Sequence, residues 1–211
     1  MRVRPTALPE VLVVEPTVHR DARGAFLETW SAERFAACGI DATFAQDNLS
    51  TSARGVVRGL HAQHPDDQAK LVTVAHGAVF DVAVDARRGS PTFGRWVGLE
   101  LTAGDGRQLW IPVGFAHGFL ALEDDTRVLY KATAPYRPGA ELAIRWDDPD
   151  VGIDWPLDAL APIVSPRDAA APRLRDVPGE RLPPWLGPAS ARRADGRERA
   201  TVGDLRGPEA A

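Results

Sequence analysis

The stretch LVTVAHGAVFDVAVDAR, Leu71 to Arg87, decides the fold class of this 211-residue chain. It holds two β-branched runs broken at His76-Gly77. In the second run Phe80, Val82 and Val84 fall on one face and Asp81, Ala83 and Asp85 on the other, which is the two-residue period of a strand. Just upstream, Gly55 to Lys70 (GVVRGLHAQHPDDQAK) predicts a strand, a Pro-Asp turn and the start of the next strand. Downstream, Trp96 to Pro112 (WVGLELTAGDGRQLWIP) reads as a hairpin on its Ala-Gly-Asp-Gly centre. FAHGFLAL and TRVLYKAT are two more strands, joined across Glu123-Asp124-Asp125. Short strands at roughly 8–12-residue spacing, punctuated by Gly and Pro, predict an all-β sandwich or barrel, and a double-sheet jelly roll suits the count.

The flanks add little regular structure. VLVVEPTV reads as a strand that Pro16 interrupts or places at an edge. Asp21-Ala22-Arg23-Gly24 has turn chemistry. Ser31 to Gly39 (SAERFAACG) has the capping pattern of one short helix. TFAQDNLSTS predicts a strand running into a polar loop. After Pro156 the strand signals fade, and VSPRDAAAPRL reads as a short helical or extended return segment. The chain divides into a single domain over residues 1–185 and a Pro-, Ala- and Arg-rich tail over 186–211, with order expected to fail from about residue 190.

Composition narrows the function classes. A net charge of −4 argues against broad nucleic-acid binding, which needs a basic face. No stretch approaches a membrane span, and MRVRPTALPE lacks the apolar core of a signal peptide. The single cysteine, Cys38, cannot form an internal disulfide and reads as a small packed side chain, consistent with a reducing cytoplasm. Trp96, Trp110, Trp146 and Trp155 read as packing residues.

The chemistry concentrates between Gly55 and Lys70. The chain has 23 arginines but only two lysines, Lys70 and Lys131, and one of the two stands beside a histidine-bearing strand. A lysine is a compact point charge suited to one developing oxyanion, whereas arginine is a flat fork. His61 and Gln63 share a strand face that His64 does not. Two histidines at i and i+2, with His117, would suit a metal, but position i+2 is Gln63 and no Glu follows at the usual distance. Acid–base chemistry is the alternative: a histidine, as a residue type, can take and return a proton at working pH, and a carboxylate on the second nitrogen of His61 would fix its tautomer. Several acids are available for that partner. A lone histidine on a strand is otherwise most often a satisfied core side chain. If Tyr130 points inward, Lys131 points out to solvent. By the same alternation Arg58 faces away from His61 unless Gly59 marks a bulge, which leaves it between a surface ion pair and a ligand contact.

RGVVRGLHAQ, QAKLVTV, GAVFDVAVDAR, SPTFGRW, QLWIPVGFAHGF, YKAT and IRWDDP, in that order, resemble the dTDP-4-dehydrorhamnose 3,5-epimerase family, cupin jelly-roll enzymes of deoxysugar biosynthesis. The resemblance runs from about Val13 to Leu174. It implies a dTDP-linked 4-keto-6-deoxyhexose substrate, a reaction with no metal or other cofactor, and inversion through proton removal beside the carbon-4 ketone and return to the opposite face. Carried over, His61 is the general base, Asp168 its paired carboxylate, Lys70 the cation at the ketone oxygen, Tyr130 the proton donor on the other face, and His117 a site histidine near the same oxygen. Arg23, Phe26, Glu28, Gln46, Asp47, Asn48, Arg58 and Glu141 match nucleotide-binding positions. Gln63 joins them as a substrate contact, and Tyr136 is the aromatic that stacks on the base. Arg167 stands where many relatives carry lysine. The resemblance also implies a homodimer whose nucleotide pocket is partly lent by the partner chain. Relatives in antibiotic-sugar pathways invert carbon 3 alone with the same base, lysine and tyrosine. A ketoisomerase of the same dTDP sugars, a metal-dependent cupin enzyme and a sugar-nucleotide binding module are the competing classes.

Overall fold

The computed structural model describes residues 1–157 and 160–187. Of the tail expected over 186–211, only Leu186 and Gly187 fall among the described residues. The chain runs through β1 (Arg2–Pro5), β2 (Leu12–Glu15), β3 (Val18–Asp21), β4 (Gly24–Leu27), α1 (Ala32–Ala37), β5 (Gln46–Ser52), β6 (Val56–Gln63), β7 (Lys70–His76) and β8 (Ala78–Asp85). It continues through β9 (Trp96–Thr102), β10 (Gln108–Ile111), β11 (Phe115–Ala121), β12 (Thr126–Ala132), β13 (Glu141–Ala143), β14 (Ile163–Val164) and α2 (Pro166–Ala169). Pro16 separates β2 from β3, as its missing N–H requires. Ser31 caps α1, accepting from the Arg34 N–H, and Gly39 ends it at φ +91°. Cys38, expected to be packed, is exposed, because it lies at the open C-terminal end of this short helix.

Two six-stranded sheets face each other, the double-sheet jelly roll expected of the sequence. One has the order β1-β2-β10-β7-β12-β5; the other runs β13-β6-β11-β8-β9, with β14 added alongside β6. From β5 onward the chain alternates between them, so successive strands mostly cross from one sheet to the other. The expected hairpin at Trp96–Pro112 is overturned by this alternation. β9 pairs with β8 and β10 pairs with β2 and β7, so the Ala-Gly-Asp-Gly turn is a corner between sheets. A tight Gly-rich turn between two β-branched runs reads identically in either case, and only long-range pairing separates them.

Three apolar layers follow. Val72, Val74 and Leu109 of the first sheet meet Val79, Ala83, Leu101 and Phe119 of the second in the central layer. The outer face of the second sheet (Val57, Val82, Val84, Leu120) is covered by Ile144, Trp155, Leu174 and Leu182 of the return segment. The outer face of the first (Val14, Leu71, Trp110) is covered by Phe35 and Ile40 around α1. Both faces of β8 are therefore buried, which is why Asp81 and Asp85 are fully enclosed and need partners. Asp85 finds them in Arg87, Ser90 and Thr92. No helix among the described residues is long and apolar enough to cross a membrane.

Candidate active site

A cleft of about 630 Å³ opens between the two sheets. The first sheet lines it with Gln46, Asn48 and Ser50 of β5, Lys70 of β7 and Tyr130 of β12. The second contributes Arg58, His61 and Gln63 of β6, His117 and Phe119 of β11 and Glu141 of β13, and the return segment closes it with Arg167 and Asp168. Strand alternation explains the roster on β5 and β12. Odd-numbered neighbours turn outward, so Lys131 pairs with Asp47 at 2.8 Å on the outer face, away from the cleft.

Arg58 and His61 both line the cleft despite their odd spacing. His117 lies opposite His61 and Phe119 opposite Arg58, so two residues of β6 (Gly59 and Leu60) oppose the single Gly118, which makes a bulge. Gly59 sits at φ +111°, and a side chain there would reach 2.6 Å from the His117 carbonyl oxygen. That position requires glycine. The bulge turns Arg58 inward, where its Nε donates to Ser52 Oγ at 3.0 Å.

Each cleft histidine has its own carboxylate. His61 Nε2 meets Asp168 Oδ1 at 2.7 Å. Ser165 caps α2, accepting from the Asp168 N–H at 3.0 Å, and so aims that carboxylate. Burial alone would raise the Asp168 carboxyl, but hydrogen bonds and charge from His61, with the Gly59 and Ser165 contacts, hold it below its ordinary value. An ionised Asp168 makes His61 Nε2 the N–H donor and leaves Nδ1 as the basic nitrogen. His117 Nε2 lies 3.0 and 3.1 Å from the two oxygens of Asp81. Strand alternation put Asp81 on the face of β8 opposite Phe80, Val82 and Val84, and the resemblance gave Asp168 to His61 but named no acid for His117. Register supplies it, because Asp81 is the next residue on the same face from Ala83, the partner of His117.

Lys70 is buried and donates to the His61 carbonyl at 3.1 Å. Desolvation pulls its ammonium down to about 8, with Glu141 and Asp81 working against the shift. Burial raises the Tyr130 phenol, Arg58 opposing and Glu141 adding to the effect. Tyr130 is thus a neutral O–H at neutral pH, its ring 6.4 Å from that of His117. Toward the mouth, Glu141 Oε2 accepts from Tyr136 Oη at 2.6 Å and from Arg167. Burial would raise Glu141, but these donors and the charges of His61 and Arg167 keep it below its ordinary value.

Of the sixteen sequence-derived site residues, the cleft gathers His61, Lys70, His117, Tyr130, Asp168, Gln46, Asn48, Arg58, Gln63, Tyr136, Glu141 and Arg167. It does not gather four others. Asp47 faces outward with Lys131 because it alternates with Gln46 and Asn48. Arg23, Phe26 and Glu28 lie on or beside the separate β3–β4 hairpin. There Arg23 pairs with Asp21, Glu28 pairs with Arg34, and Phe26 is 71% exposed. Ser50, Gln68 and Phe119 line the cleft without having been singled out in the sequence. Alternation with Asn48 was the available signal for Ser50.

The family pattern described as dTDP-4-dehydrorhamnose 3,5-epimerase matches residues 5–176. A relative of that description from Salmonella typhimurium is 52% identical over 176 residues, covering 82% of this chain and 96% of the relative. Another, from Neisseria gonorrhoeae, is 51% identical over 170 residues, covering 81% of this chain but 52% of the relative's own length. Among solved structures, the 3,5-epimerase RmlC of Legionella pneumophila in complex with dTDP-4-keto-L-rhamnose superposes with a TM-score of 0.85 at 46% identity, covering 88% of this chain and 99% of that one. The 3'-monoepimerase ChmJ of Streptomyces bikiniensis in complex with dTDP-quinovose gives 0.79 at 38% identity, covering 86% and 92%. With the match spanning both sheets, the return segment and every strand that lines the cleft, the chain belongs to the dTDP-4-dehydrorhamnose 3,5-epimerase family, isomerases of nucleotide sugars.

Proposed function

We propose that this enzyme epimerises a dTDP-4-keto-6-deoxyhexose at carbons 3 and 5, with His61 as base and Tyr130 as acid. The observation that carries this reading is the 2.7 Å His61–Asp168 pair in one cleft with a buried ammonium and a half-buried phenol. His61 Nδ1 takes the proton next to the carbon-4 ketone, and Asp168 stabilises the imidazolium that forms. The electron pair moves onto the ketone oxygen, where Lys70 and His117 meet the enolate with preorganised charge and a hydrogen bond. Tyr130 returns a proton from the opposite face, which inverts the centre. Arg58 and Arg167 supply the cations that a diphosphate requires, as bidentate forks. Tyr136, 45% exposed at the mouth, offers a stacking face to the base.

The β3–β4 hairpin extends this reading to a homodimer. Phe26 and Arg23 stand exposed on an element outside both main sheets, which suits residues lent to the cleft of a second copy. Arg20 fastens the hairpin to the β9–β10 corner through the Gly104 carbonyl at 2.7 Å, so the loan comes on a braced element.

Likeness to a 3'-monoepimerase favours a second reading, inversion at carbon 3 alone. Proton NMR of dTDP-4-keto-6-deoxyglucose incubated with the enzyme in deuterated water, with EDTA present, separates the two. Deuterium and inversion at both carbons are expected; incorporation at carbon 3 alone selects the second reading. Tight dTDP binding without incorporation at either carbon would leave a binding module.

A further inference from the structure

The segment Ala134 to Arg137, which carries Tyr136, belongs to no strand, yet each of its four residues has a backbone group bound to a glutamine side chain. Gln68 Nε2 donates to the Ala134 carbonyl at 2.7 Å. Gln63 Nε2 donates to the Pro135 carbonyl at 3.2 Å, and Gln63 Oε1 accepts from the Arg137 N–H at 2.7 Å. Gln46 Oε1 accepts from the Tyr136 N–H at 2.8 Å. The three glutamines come from β5, β6 and the turn before β7. Gln63 is 3% exposed and also donates to the Asp66 carbonyl, so both of its amide hydrogens and its oxygen are engaged by protein.

From this geometry we propose that Gln63 and Gln68, with Gln46, form an amide clamp that presets Tyr136 for the nucleotide, and that Gln63 is a positioning residue, not the substrate contact that sequence reasoning suggested. A neutral amide both donates and accepts, so one side chain can hold a carbonyl and an N–H of the same loop. A carboxylate could only accept, and an alkyl chain could do neither. Holding the loop in its bound shape beforehand removes an ordering cost from ligand binding. The clamp also ties the loop to the turn that leads into Lys70. Thr133 and Ala69 exchange bonds of 2.9 and 3.1 Å at the same junction. The inference rests on the reading of Tyr136 as the residue that meets the base.

The test measures calorimetric affinity for dTDP, together with KM and kcat for deuterium incorporation, in Gln63→Leu, Gln63→Glu, Gln68→Leu, Tyr136→Ala and the Gln63→Leu/Tyr136→Ala double variant. Gln63→Leu, which removes the three bonds that the buried Gln63 amide makes to backbone groups, should raise Kd and KM by roughly tenfold or more, with kcat falling less than KM rises. Gln63→Glu should behave the same way despite its matching shape, and Gln68→Leu should weaken binding by about threefold to tenfold. In the Tyr136→Ala background the Gln63 effect should largely vanish, because the clamp acts through that ring. Equal losses in both backgrounds would overturn the clamp in favour of direct contact, and so would a fall in kcat with KM unchanged. If Tyr136→Ala weakens dTDP while all three glutamine variants bind normally, the clamp falls and the site reading stands. If the wild type does not bind dTDP, both fall. Should Gln63→Leu not fold, Gln68→Leu and Gln63→Glu decide the question alone.

Discussion

The two histidine–carboxylate pairs of the cleft have similar distances and different origins. His117–Asp81 lies inside one sheet, between adjacent strands, with side chains 7% and 0% exposed. His61–Asp168 joins a strand to a four-residue helix 107 positions away, and His61 keeps 31% of its side chain open. The enclosed pair is part of the sheet's polar satisfaction as well as of the site. The open pair can exchange a proton with a ligand. The comparison teaches that a ladder encloses the hydrogen-bonded groups it pairs, whereas a pair completed by a late segment closing over the sheet edge stays open to a ligand, as the proposed base requires.

Removing the open pair should have the largest effect on turnover. His61→Ala is expected to lower deuterium incorporation by on the order of 10²–10⁴, the range of a positioned acid or base, while dTDP affinity by calorimetry changes little. Retained exchange in that variant would make the two histidines interchangeable and dissolve the contrast.

Lys70 stands between the pairs and should set the alkaline limit. Its ammonium, at about 8, is present below that pH and lost above it, so kcat/KM should decline through an alkaline limb near 8. Stability runs the other way. Between about 8 and the ordinary value of 10.5 the unfolded chain holds a proton that the folded chain has released, so this group adds stability as pH rises. In Lys70→Arg the limb should disappear from a much reduced rate, because a guanidinium does not titrate there. An unchanged limb would assign it to another group.

Breaking the enclosed pair should read out in stability first. Asp81→Ala leaves the buried His117 ring without its partner, which costs about 1–3 kcal/mol. That corresponds to roughly 2–4 °C in Tm for each kcal/mol at this chain length. Thermal denaturation beside Asp168→Ala tests the contrast: the Asp81 variant should lose more Tm and less turnover. The outer-face pair Lys131–Asp47 marks the lower limit. Asp47 is 54% exposed, so Lys131→Ala should change stability by less than about 1 kcal/mol and leave KM near its original value. A large KM change would return Asp47 to the ligand site.

How much of this was legible varies from residue to residue. Period-two alternation and Gly-Pro punctuation reported the strands from Gly55 to Thr133 and the break at Gly77, and the ordered motifs reported the family. Alternation also sent Lys131 outward, as the ion pair with Asp47 bears out. It posed the Arg58 question without answering it, since an inward Arg58 needs the Gly59 bulge, and a bulge is a property of two paired strands. The hairpin at Trp96–Pro112 failed for a related reason: local turn chemistry does not say which sheet the next strand joins.

What the sequence by itself determined is strand content, a jelly-roll count, the rare lysine beside a histidine strand, and the residue types from which an acid–base site could be assembled. These are local properties, carried by side-chain period, backbone preference and the chemistry of single groups. Only the tertiary structure decided that Asp81 serves His117, how Ser165 and the return segment bring Asp168 to within 2.7 Å of His61, that burial draws the Lys70 ammonium toward neutrality, and that three glutamines from separate elements hold the Tyr136 loop. Hydrogen bonds of 2.7–3.2 Å and desolvation depend on which distant segments share one volume, and that is fixed by sheet register and by the return of the chain over the edge of β6.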